Sequence, residues 1–340
     1  MELCTGKNDK GRRLDRILRK ALPDHPLPLI HRLLRQGLVL VDGKPGKAGD
    51  RLDSDIKIVI KSLKESTSII PLNGKSKKKS RDSDNNDKKS VLMHPGKKKI
   101  DKNLIIWEDC SLLAVNKPSG LVVHGKNSLD SMVNSYLADK LSPSLSFKPG
   151  PLHRLDKPSS GIVVFSVNIE GARIFSSLMR DHKIRKTYLT IVEGKVEKDE
   201  VWQDELFRDK ERQKTFVSGQ NSGKTAVTNI IPLVTKNGYT LIKAQIITGR
   251  THQIRAQAAS HGHPLLGDLK YSGKRSKNMN TRTTDYHGLN GLARINKVDF
   301  YLHAWKMEFL EHSIEAPLPQ AFKEKVRELF GEYYAMSNEQ

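Results

Sequence analysis

A single aspartate on a short polar loop, directly ahead of an apolar run, is the feature that most constrains how this chain folds. Residues 151–166 read PLHRLDKPSSGIVVFS, so Asp156 is followed by a Pro-Ser-Ser-Gly bend and then by apolar residues. A short apolar run bounded by turn residues predicts a buried strand. A carboxylate held on a loop beside such a strand, with Arg154 close by, stays ionised and can act as a nucleophile or a base. The same pattern also fits an Asx-type turn, in which Asp156 caps its own loop and Arg154 is a solvated charge.

The charge balance of the chain predicts a polyanionic partner. The 340 residues include 59 Lys or Arg against 38 Asp or Glu, which gives a formal net charge of +21. Nucleic acid is the partner that such an excess favours. An anionic membrane surface would require a basic amphipathic helix with bulky apolar anchors, or a lipidation signal, and the sequence has neither.

The sequence also predicts a location in the reducing cytoplasm. It contains no apolar run that approaches the length of a membrane span, and its first residues lack the apolar core of a signal peptide. Its two cysteines, Cys4 and Cys110, suggest neither a disulfide framework nor a zinc site. We therefore expect a cytoplasmic protein without membrane contact.

Residues 11–60 predict a small basic domain. Apolar residues at helical spacing indicate a first helix from Leu14 and a second one that ends at Gly37. The alternating residues that follow, up to Ile60, indicate a small sheet. The core of such a segment is too small for an enzyme, but its helix surfaces suit phosphate binding. The candidate RNA-binding residues on these surfaces are Arg13, Arg16, Arg32 and Arg35.

Residues 61–102 predict a basic linker. Between Gly74 and Lys99 there are ten Lys or Arg against three Asp, and no hydrophobic period is visible. This composition is typical of disordered segments. The linker either adds non-specific attraction to phosphates or is an inert tether. A second polar and basic stretch, residues 272–297, predicts a loop within reach of RNA.

Residues 103–332 predict a second domain that combines many strands with a few helices. The segment KTYLTIVEG, residues 186–194, alternates as a strand does, and THQIRAQAAS, residues 251–260, has the apolar spacing of a helix. Many strands with hairpin-like spacing predict an α+β fold on a mixed, largely antiparallel sheet. We expect the loop of Asp156 to lie in a central cleft of this domain.

Five segments of the chain resemble the ordered motifs of the RluA-type pseudouridine synthases. HRLDKPSSG is similar to the HRLDxxTSG signature of that family, and TGRTHQIR followed by GHPLLGDLKY is similar to its TGRTHQIRVH and GHPxxGDxxY motifs. NKPSGLVVH, the K-x-Y strand at Lys186 and LHA at Leu302 complete the set. The resemblance covers residues 11–60 and 104–330. It implies an enzyme that isomerises uridine to pseudouridine within RNA.

The resemblance assigns roles to individual residues. Asp156 matches the catalytic aspartate, which acts at the ribose as nucleophile or as base, and Arg255 matches the arginine that pairs with it. Tyr188 matches the tyrosine that stacks on the target base and receives its C5 proton; the alternative is an ordinary strand tyrosine. The target base must leave its stack to be reached. The motifs further predict three substrate-binding residues, His153, Arg154 and Arg250.

The implied reaction needs no cofactor and no metal. GQNSGKT, residues 219–225, is one residue short of a phosphate-binding loop, and a strand-like run follows it where such a loop requires a helix. His252, His261 and His263 lack carboxylates at metal-ligand spacing.

The N-terminal segment resembles the alpha-L RNA-binding domain, the module named after a small-subunit ribosomal protein. The matching pieces are RLDRIL, LIHRLLRQGLVLVDGKP and DIKIVI. With this domain in front, the chain is most similar to family members that modify large-subunit rRNA, so we expect 23S-type rRNA as the partner of a monomer. A tRNA or mixed-specificity synthase, and a non-catalytic RNA-binding factor in ribosome assembly, are the alternatives. The sequence departs from the family pattern at three positions. Ser159 replaces threonine but keeps the hydroxyl, Pro158 stiffens the catalytic loop, and Gln257 replaces histidine, which puts only a secondary contact in doubt.

Overall fold

The computed structural model describes residues 1–61, 100–141, 144–209, 211–218, 223–272 and 300–331. The chain divides into two units, one formed by Met1–Lys98 with Lys140–Lys148 and the other by Lys99–Asp139 with Pro149–Gln340. Most of the predicted linker 61–102 and of the predicted loop 272–297 lies outside the described residues.

Within the described residues, the N-terminal unit contains two α-helices and one four-stranded sheet. The helices are α1 (Leu14–Ala21) and α2 (Leu27–Arg35), and the strands are β1 (Glu2–Cys4), β2 (Val39–Val41), β3 (Lys44–Pro45) and β4 (Lys57–Ile60). The strands are antiparallel, in the order β1-β4-β2-β3. The core of the unit is formed by helix residues such as Leu14, Ile17 and Ile30 together with Val39 and Ile58 of the sheet. The apolar stripes read from the sequence are therefore the buried faces of α1 and α2.

Two short signals set the path of the chain in this unit. Gly37, at φ +65°, ends α2, and the amide of Leu38 donates back to the carbonyl of Leu33 at 3.0 Å, as in a Schellman motif. Asp42 and Gly43 both have positive φ, 44° and 83°, as a two-residue type I′ turn requires. This turn joins β2 to β3.

The segment Lys140–Lys148 groups with the N-terminal unit, although it falls within the range 103–332 predicted for the second domain. Leu145 packs against the core of the N-terminal unit. The buried carboxylate of Asp9 accepts hydrogen bonds from the amides of Leu145 (3.0 Å) and Ser146 (2.9 Å) and from the hydroxyl of Ser144 (2.8 Å). Burial opposes the ionisation of Asp9, but hydrogen bonds outweigh it and lower the pKa of this carboxyl.

The second unit is built on an eleven-stranded sheet with four α-helices among its described residues. The helices are α3 (Leu129–Leu137), α4 (Ile169–Arg180), α5 (Gln253–Ser260) and α6 (Gln320–Phe330). The strands are β5 (Ile105–Glu108), β6 (Leu112–Lys117), β7 (Gly150–Pro151), β8 (Ser160–Ser166), β9 (Arg185–Glu193), β10 (Glu200–Asp209), β11 (Lys214–Val217), β12 (Lys224–Lys236), β13 (Tyr239–Ile246), β14 (Leu302–Phe309) and β15 (His312–Glu315). None of the helices in the described part of the chain is long and apolar enough to cross a membrane.

The strand order brings distant parts of the chain together. Along the sheet it is β11-β10-β12-β13-β9-β14-β8-β6-β5, with β15 beside β14 and β7 beside β8. Only β8 and β14 run parallel; the other pairs in the described sheet are antiparallel. The late strand β14 thus lies between β8 and β9. The predicted α+β fold on a mixed, largely antiparallel sheet is confirmed.

Strand β8 is buried along its whole length, as its apolar run predicts. Ile162 and Val164 pack against Phe175 of α4. On β9, Leu189 and Ile191 share a cluster with Phe322 of α6. Helices therefore cover the sheet where the site-bearing strands lie.

The parallel contact between β8 and β14 depends on a glycine. Gly161 has φ +107°, and a Cβ at this position would lie 2.2 Å from the carbonyl oxygen of Ala304. Any other residue would separate the two strands. Beside it, the hydroxyl of Ser160 bonds Nδ1 of His303 at 2.8 Å, and Nε2 of His303 lies 3.1 Å from the carbonyl oxygen of Ala316. Nε2 must donate to that carbonyl, so Nδ1 accepts from Ser160 and the buried imidazole is neutral.

Candidate active site

The loop of Asp156 is braced by the NKPSG turn at the end of β6. The fully buried ammonium of Lys117 donates to the carbonyl oxygens of Pro118 (2.9 Å), Leu121 (2.9 Å) and Lys157 (3.2 Å). Burial lowers the pKa of Lys117 to about 7, while the nearby charge of Asp156 acts in the opposite direction. The turn therefore fixes the main chain directly after Asp156.

The carboxylate of Asp156 is bound by Arg255 on α5. Nη1 of Arg255 donates to Oδ2 at 2.9 Å, and the side chain of Asp156 is 20% exposed. Among the described residues, the other oxygen, Oδ1, accepts no hydrogen bond. The loop itself closes through its main chain, from the amide of Ser159 to the carbonyl of Asp156 at 3.1 Å. The Asx-type turn considered from the sequence, with the carboxylate capping its own loop, is not formed.

Asp268 fixes the orientation of Arg255. It accepts from Nε at 2.6 Å and from Nη2 at 2.9 Å, a bidentate pair with both side chains buried. The rings of Tyr271 and Phe300 lie against the guanidinium, with centroids 5.0 and 4.3 Å from Cζ. Burial disfavours the charge, but the bonds to the carboxylates outweigh it and raise the pKa of Arg255. Arg255 is thus a fixed cation that offers Nη1 to Asp156.

A neutral histidine lies beside the same carboxylate oxygen. The amide of Thr215 donates to the hydroxyl oxygen of Tyr271 at 2.9 Å, which leaves the hydroxyl hydrogen for Nδ1 of His252 at 2.8 Å. Nε2 of His252 therefore carries the ring proton, 3.5 Å from Oδ2 of Asp156. Burial lowers the pKa of His252 to about 4, while the charge of Asp156 acts in the opposite direction. The residue adopts the left-handed conformation, φ 55°, directly before α5.

Tyr188 lies on β9 and lines the same cavity as Asp156. It pairs with Ala244 of β13 and with Ala304 of β14, and it is 9% exposed. Burial, and then the charge of Asp156, raise the pKa of Tyr188 well above its ordinary value. The hydroxyl therefore remains protonated at neutral pH, and a free phenolate is not available.

Arg154 and Arg250 are brought to the cavity of Asp156, as the motifs predict. Both are exposed and line it. Nε of Arg250 donates to the carbonyl of Thr225 at 3.0 Å, which holds this side chain near β12. The cavity thus has a basic rim around its carboxylate.

His153 lies differently from the other two predicted substrate-binding residues. Its Nε2 accepts from the amide of Val164 at 3.1 Å, and its ring stacks on Phe175. Burial, and then the positive charge of Lys186, lower the pKa of His153 to about 3. It supports β8 as a neutral imidazole and is not among the residues that line the cavity.

Gln257, the residue that departs from the family pattern, anchors α5. It is fully buried, and its Nε2 donates to the carbonyl of Trp202 (3.0 Å) and to Oδ2 of Asp204 (2.7 Å), while its Oε1 accepts from Thr228 (2.7 Å). All three of these partners lie in the sheet beneath the helix, so the buried amide of Gln257 is satisfied. Because Arg255 lies on the same helix, Gln257 contributes to its position.

The four arginines predicted to bind RNA differ in their surroundings. Arg16, Arg32 and Arg35 are exposed on α1 and α2. Arg13 instead forms two hydrogen bonds with Asp15, at 3.1 and 2.8 Å, so its charge is already paired.

In the part of the chain that the structure describes, no group of three or more His, Cys, Asp or Glu is placed to hold a metal.

Four residues were not assigned to the site from the sequence: Lys117, His252, Asp268 and Tyr271. Each lies inside a motif that the sequence does show, namely NKPSG, TGRTHQIR or GDLKY. Membership of a motif was therefore a usable signal. The hydrogen-bond partner of each side chain depends on tertiary structure and could not be predicted from the sequence.

Comparison with known proteins places this arrangement in a family. A sequence profile described as RNA pseudouridylate synthase matches residues 111–260, which include Asp156, Tyr188 and Arg255. An uncharacterized RNA pseudouridine synthase of Aquifex aeolicus is 32% identical over 319 residues, 90% of this chain and 90% of its own length. The chain belongs to the RNA pseudouridine synthase family.

Other relatives of this synthase have more specific names. Ribosomal large subunit pseudouridine synthase C of Vibrio vulnificus is 30% identical over 312 residues, 91% of this chain and 88% of the relative. tRNA pseudouridine synthase C of Haemophilus ducreyi is 32% identical over 199 residues, 55% of this chain and 80% of the relative. A solved structure, human RNA Pseudouridylate Synthase Domain Containing 4, shares the fold with a TM-score of 0.51 at 24% identity, covering 66% of this chain and 94% of that one. The resemblance to RluA-type synthases read from the sequence is confirmed.

Proposed function

We propose that this synthase isomerises uridine in large-subunit ribosomal RNA, with Asp156 as its catalytic residue. The observation that carries the proposal is the carboxylate of Asp156, with Oδ2 held by Arg255 and Oδ1 without a hydrogen bond among the described residues. A carboxylate restrained at one oxygen and open at the other is prepared to act on a ribose as nucleophile or as base. Arg255 supplies the restraint and Asp268 holds Arg255 in place.

The reaction fits a site without a cofactor. The bond from N1 to C1′ breaks, the uracil turns, and a bond from C5 to C1′ forms, while one proton leaves C5 and one is taken up at N1. Substrate and product thus have the same atoms. The target base must leave its stack; we assign Arg154 to the vacated space or to the backbone phosphate, and Arg250 to a phosphate on the cavity rim.

Tyr188 is proposed to stack on the uracil and to receive the C5 proton. The position of Tyr188 in the cavity of Asp156 supports the stacking role. Because burial and the charge of Asp156 keep the hydroxyl protonated, its oxygen can accept the C5 proton only as it gives up its own. The hydroxyl therefore passes its own proton toward N1 of the turned uracil, which takes one up, as it receives the proton from C5.

The N-terminal unit is proposed to bind folded RNA as an alpha-L domain. The exposed Arg16, Arg32 and Arg35 support this role, since guanidinium groups on a helix surface attract phosphates.

Ribosomal RNA is favoured over tRNA by the extent of the matches. The relative named for the large ribosomal subunit aligns with 91% of this chain, whereas the relative named for tRNA aligns with 55%. Transfer RNA is therefore the second candidate substrate.

The experiment that tests the proposal is mass-spectrometric mapping of pseudouridine in total RNA from cells without this gene. A chemical tag is required because the two isomers have equal mass. Loss of sites from large-subunit rRNA, restored by the wild-type gene, is the expected result. Losses confined to tRNA would overturn the rRNA assignment, and unchanged RNA together with inactive purified protein would overturn the catalytic one.

A further inference from the structure

Lys186, a cationic side chain on β9, has no role in the site described above. Lys186 is two residues before Tyr188, so both side chains point to the same face of the strand, about 7 Å apart along it. Lys186 is only 8% exposed. A lysine is rarely buried to this degree unless it is paired.

The ammonium of Lys186 has no oxygen partner within the described part of the chain. Its one hydrogen-bond contact is the thioether of Met179 on α4, with Sδ at 3.8 Å from Nζ. The residues opposite it on the neighbouring strands are Ile246 and Met307, which carry no charge. Burial accordingly lowers the pKa of Lys186, and its charge acts on His153. A buried ammonium without an acceptor costs free energy that the fold does not recover.

The main chain at Gly249 approaches this ammonium. Gly249 is exposed, and a Cβ built on it would lie 3.8 Å from Nζ of Lys186, in direct contact. A side chain at 249 would therefore contact the ammonium. The next residue, Arg250, lines the cavity of Asp156. Lys186 thus lies beside main chain that adjoins the catalytic cavity in sequence.

We propose that Lys186, with the uncovered main chain at Gly249, binds a phosphate group of the target nucleotide itself. A nucleotide whose base stacks on Tyr188 carries its own phosphate on the 5′ oxygen of the ribose, and Lys186 is the neighbouring cationic side chain on the same face of β9. A phosphodiester supplies the oxygen acceptors that the ammonium lacks in the free enzyme. The inference rests on the proposed function, because it takes the flipped nucleotide to lie on Tyr188.

The first test compares Lys186→Met with Lys183→Met. Methionine keeps the contact with Met179 and removes only the charge, and Lys183 is an exposed lysine on the same turn into β9. With an RNA that the wild-type protein converts, Lys186→Met is expected to raise KM and the binding Kd about tenfold. The slope of log Kd against log salt should fall by about one, as for one lost phosphate contact. Lys183→Met should change neither KM nor Kd by more than about twofold.

A second variant keeps the charge and blocks access to it. Gly249→Ala places a methyl group on the ammonium and is expected to raise Kd as Lys186→Met does, without altering Lys186. This variant decides the matter if Lys186→Met fails to fold. An unchanged Kd for both variants, or an equal effect of Lys183→Met, would overturn the phosphate site. A loss of kcat alone would show instead that Lys186 only supports Tyr188.

A synthetic RNA with one neutral methylphosphonate linkage at the target uridine identifies the phosphate. This linkage should weaken binding to the wild-type protein about as much as Lys186→Met does, and should have little further effect on that variant. If the methylphosphonate weakens binding equally in the wild-type protein and in Lys186→Met, so that the two effects add, then Lys186 contacts a different group. Kd and its salt slope require no turnover, so Lys186→Met and Gly249→Ala still test the contact if the wild-type protein binds RNA but converts no uridine. That outcome would refute the proposed function, whereas unchanged Kd values would refute the phosphate site.

Discussion

A single hydrogen bond, 2.9 Å from Nη1 to Oδ2, joins Arg255 to Asp156. Arginine and carboxylate groups commonly pair through two bonds, but here Asp268 takes that bidentate position. This division fixes the orientation of Asp156 through Oδ2, while Oδ1 accepts no hydrogen bond among the described residues. The site therefore separates the carboxylate that positions the cation from the carboxylate that we propose to react.

Replacement of Asp156 by asparagine tests its catalytic role. Asp156→Asn should lower the rate of pseudouridine formation by at least about a thousandfold, because an amide is a poor nucleophile and base. RNA affinity should stay within a few-fold of wild type, measured by fluorescence anisotropy. Asp199→Asn, the same change at an exposed position, is the control. An active Asp156→Asn protein would refute the assignment.

Tyr188→Phe separates the ring of this residue from its hydroxyl. Phenylalanine keeps the stacking surface, so KM should change by less than about threefold, while kcat should fall about a hundredfold or more because no hydroxyl relays the proton. Single-turnover assays with saturating enzyme measure the step directly. If kcat is retained, the proton leaves C5 by another route and Tyr188 serves only to stack.

Removing the partner that holds Arg255 should affect both stability and rate. Asp268→Asn leaves a buried guanidinium with one carboxylate, so the free energy of unfolding should fall by about 3 kcal/mol, and a displaced Asp156 should lower kcat about a hundredfold. Urea denaturation and steady-state kinetics report the two effects. Glu315→Gln, which removes the exposed ion pair of Glu315 with Lys306 at 2.8 Å, should cost less than about 1 kcal/mol. Equal costs for the two variants would contradict the role of Asp268.

Buried histidines make the fold sensitive to acid. The pKa of His153 is lowered to about 3, and the pKa values of His252 and His303 to about 4. A histidine in the unfolded chain titrates near 6.5, so between about pH 6.5 and 4 unfolding takes up protons. The free energy of unfolding should therefore decrease as pH falls through this window, by up to about 1.4 kcal/mol per pH unit for each histidine.

Urea midpoints at pH 7.5, 6.5, 5.5 and 5.0 measure this dependence. His303→Gln should reduce the slope of the free energy of unfolding against pH by the amount that corresponds to one proton. His182→Gln, which removes an exposed histidine, should leave this slope unchanged. Midpoints that do not vary below pH 6.5 would show that these side chains are accessible to protons in the folded protein.

The exposed arginines of the N-terminal unit should contribute to the salt dependence of RNA binding. Changing Arg16, Arg32 and Arg35 together to glutamine should lower the slope of log Kd against log salt by about two. Arg13→Gln should lower it by less than about half a unit, because Asp15 already pairs that charge. A triple variant with the wild-type slope would exclude these helices from phosphate contact.

Much of the fold was predictable because its strongest sequence signals are local. The apolar run after Asp156 is β8, the alternating segment from Lys186 is β9, and the apolar spacing in THQIRAQAAS is α5. The sheet order was not predictable, since β14 is brought beside β8 by main-chain packing at Gly161. The grouping of Lys140–Lys148 with the N-terminal unit was missed as well, because it depends on the buried carboxylate of Asp9.

The sequence predicted the site only where a motif residue has a recognisable chemical role. The contact between Asp156 and Arg255 follows the expected pairing. The burial of Lys186 was not readable, because an alternating strand predicts two faces without saying which one is covered. His153 and Arg154 are adjacent in the motif, yet one supports β8 and the other lines the cavity, a difference that depends on side-chain direction.

The position of β14 has a consequence for the timing of synthesis. This strand is made after both β8, which follows the loop of Asp156, and β9, which carries Tyr188, yet it lies between them. When Asp156 and Tyr188 have both emerged from the ribosome, the growing chain still lacks β14, the strand that lies between β8 and β9. Until β14 has emerged through Phe309, the growing chain therefore cannot complete the sheet that holds the loop of Asp156 and Tyr188 together.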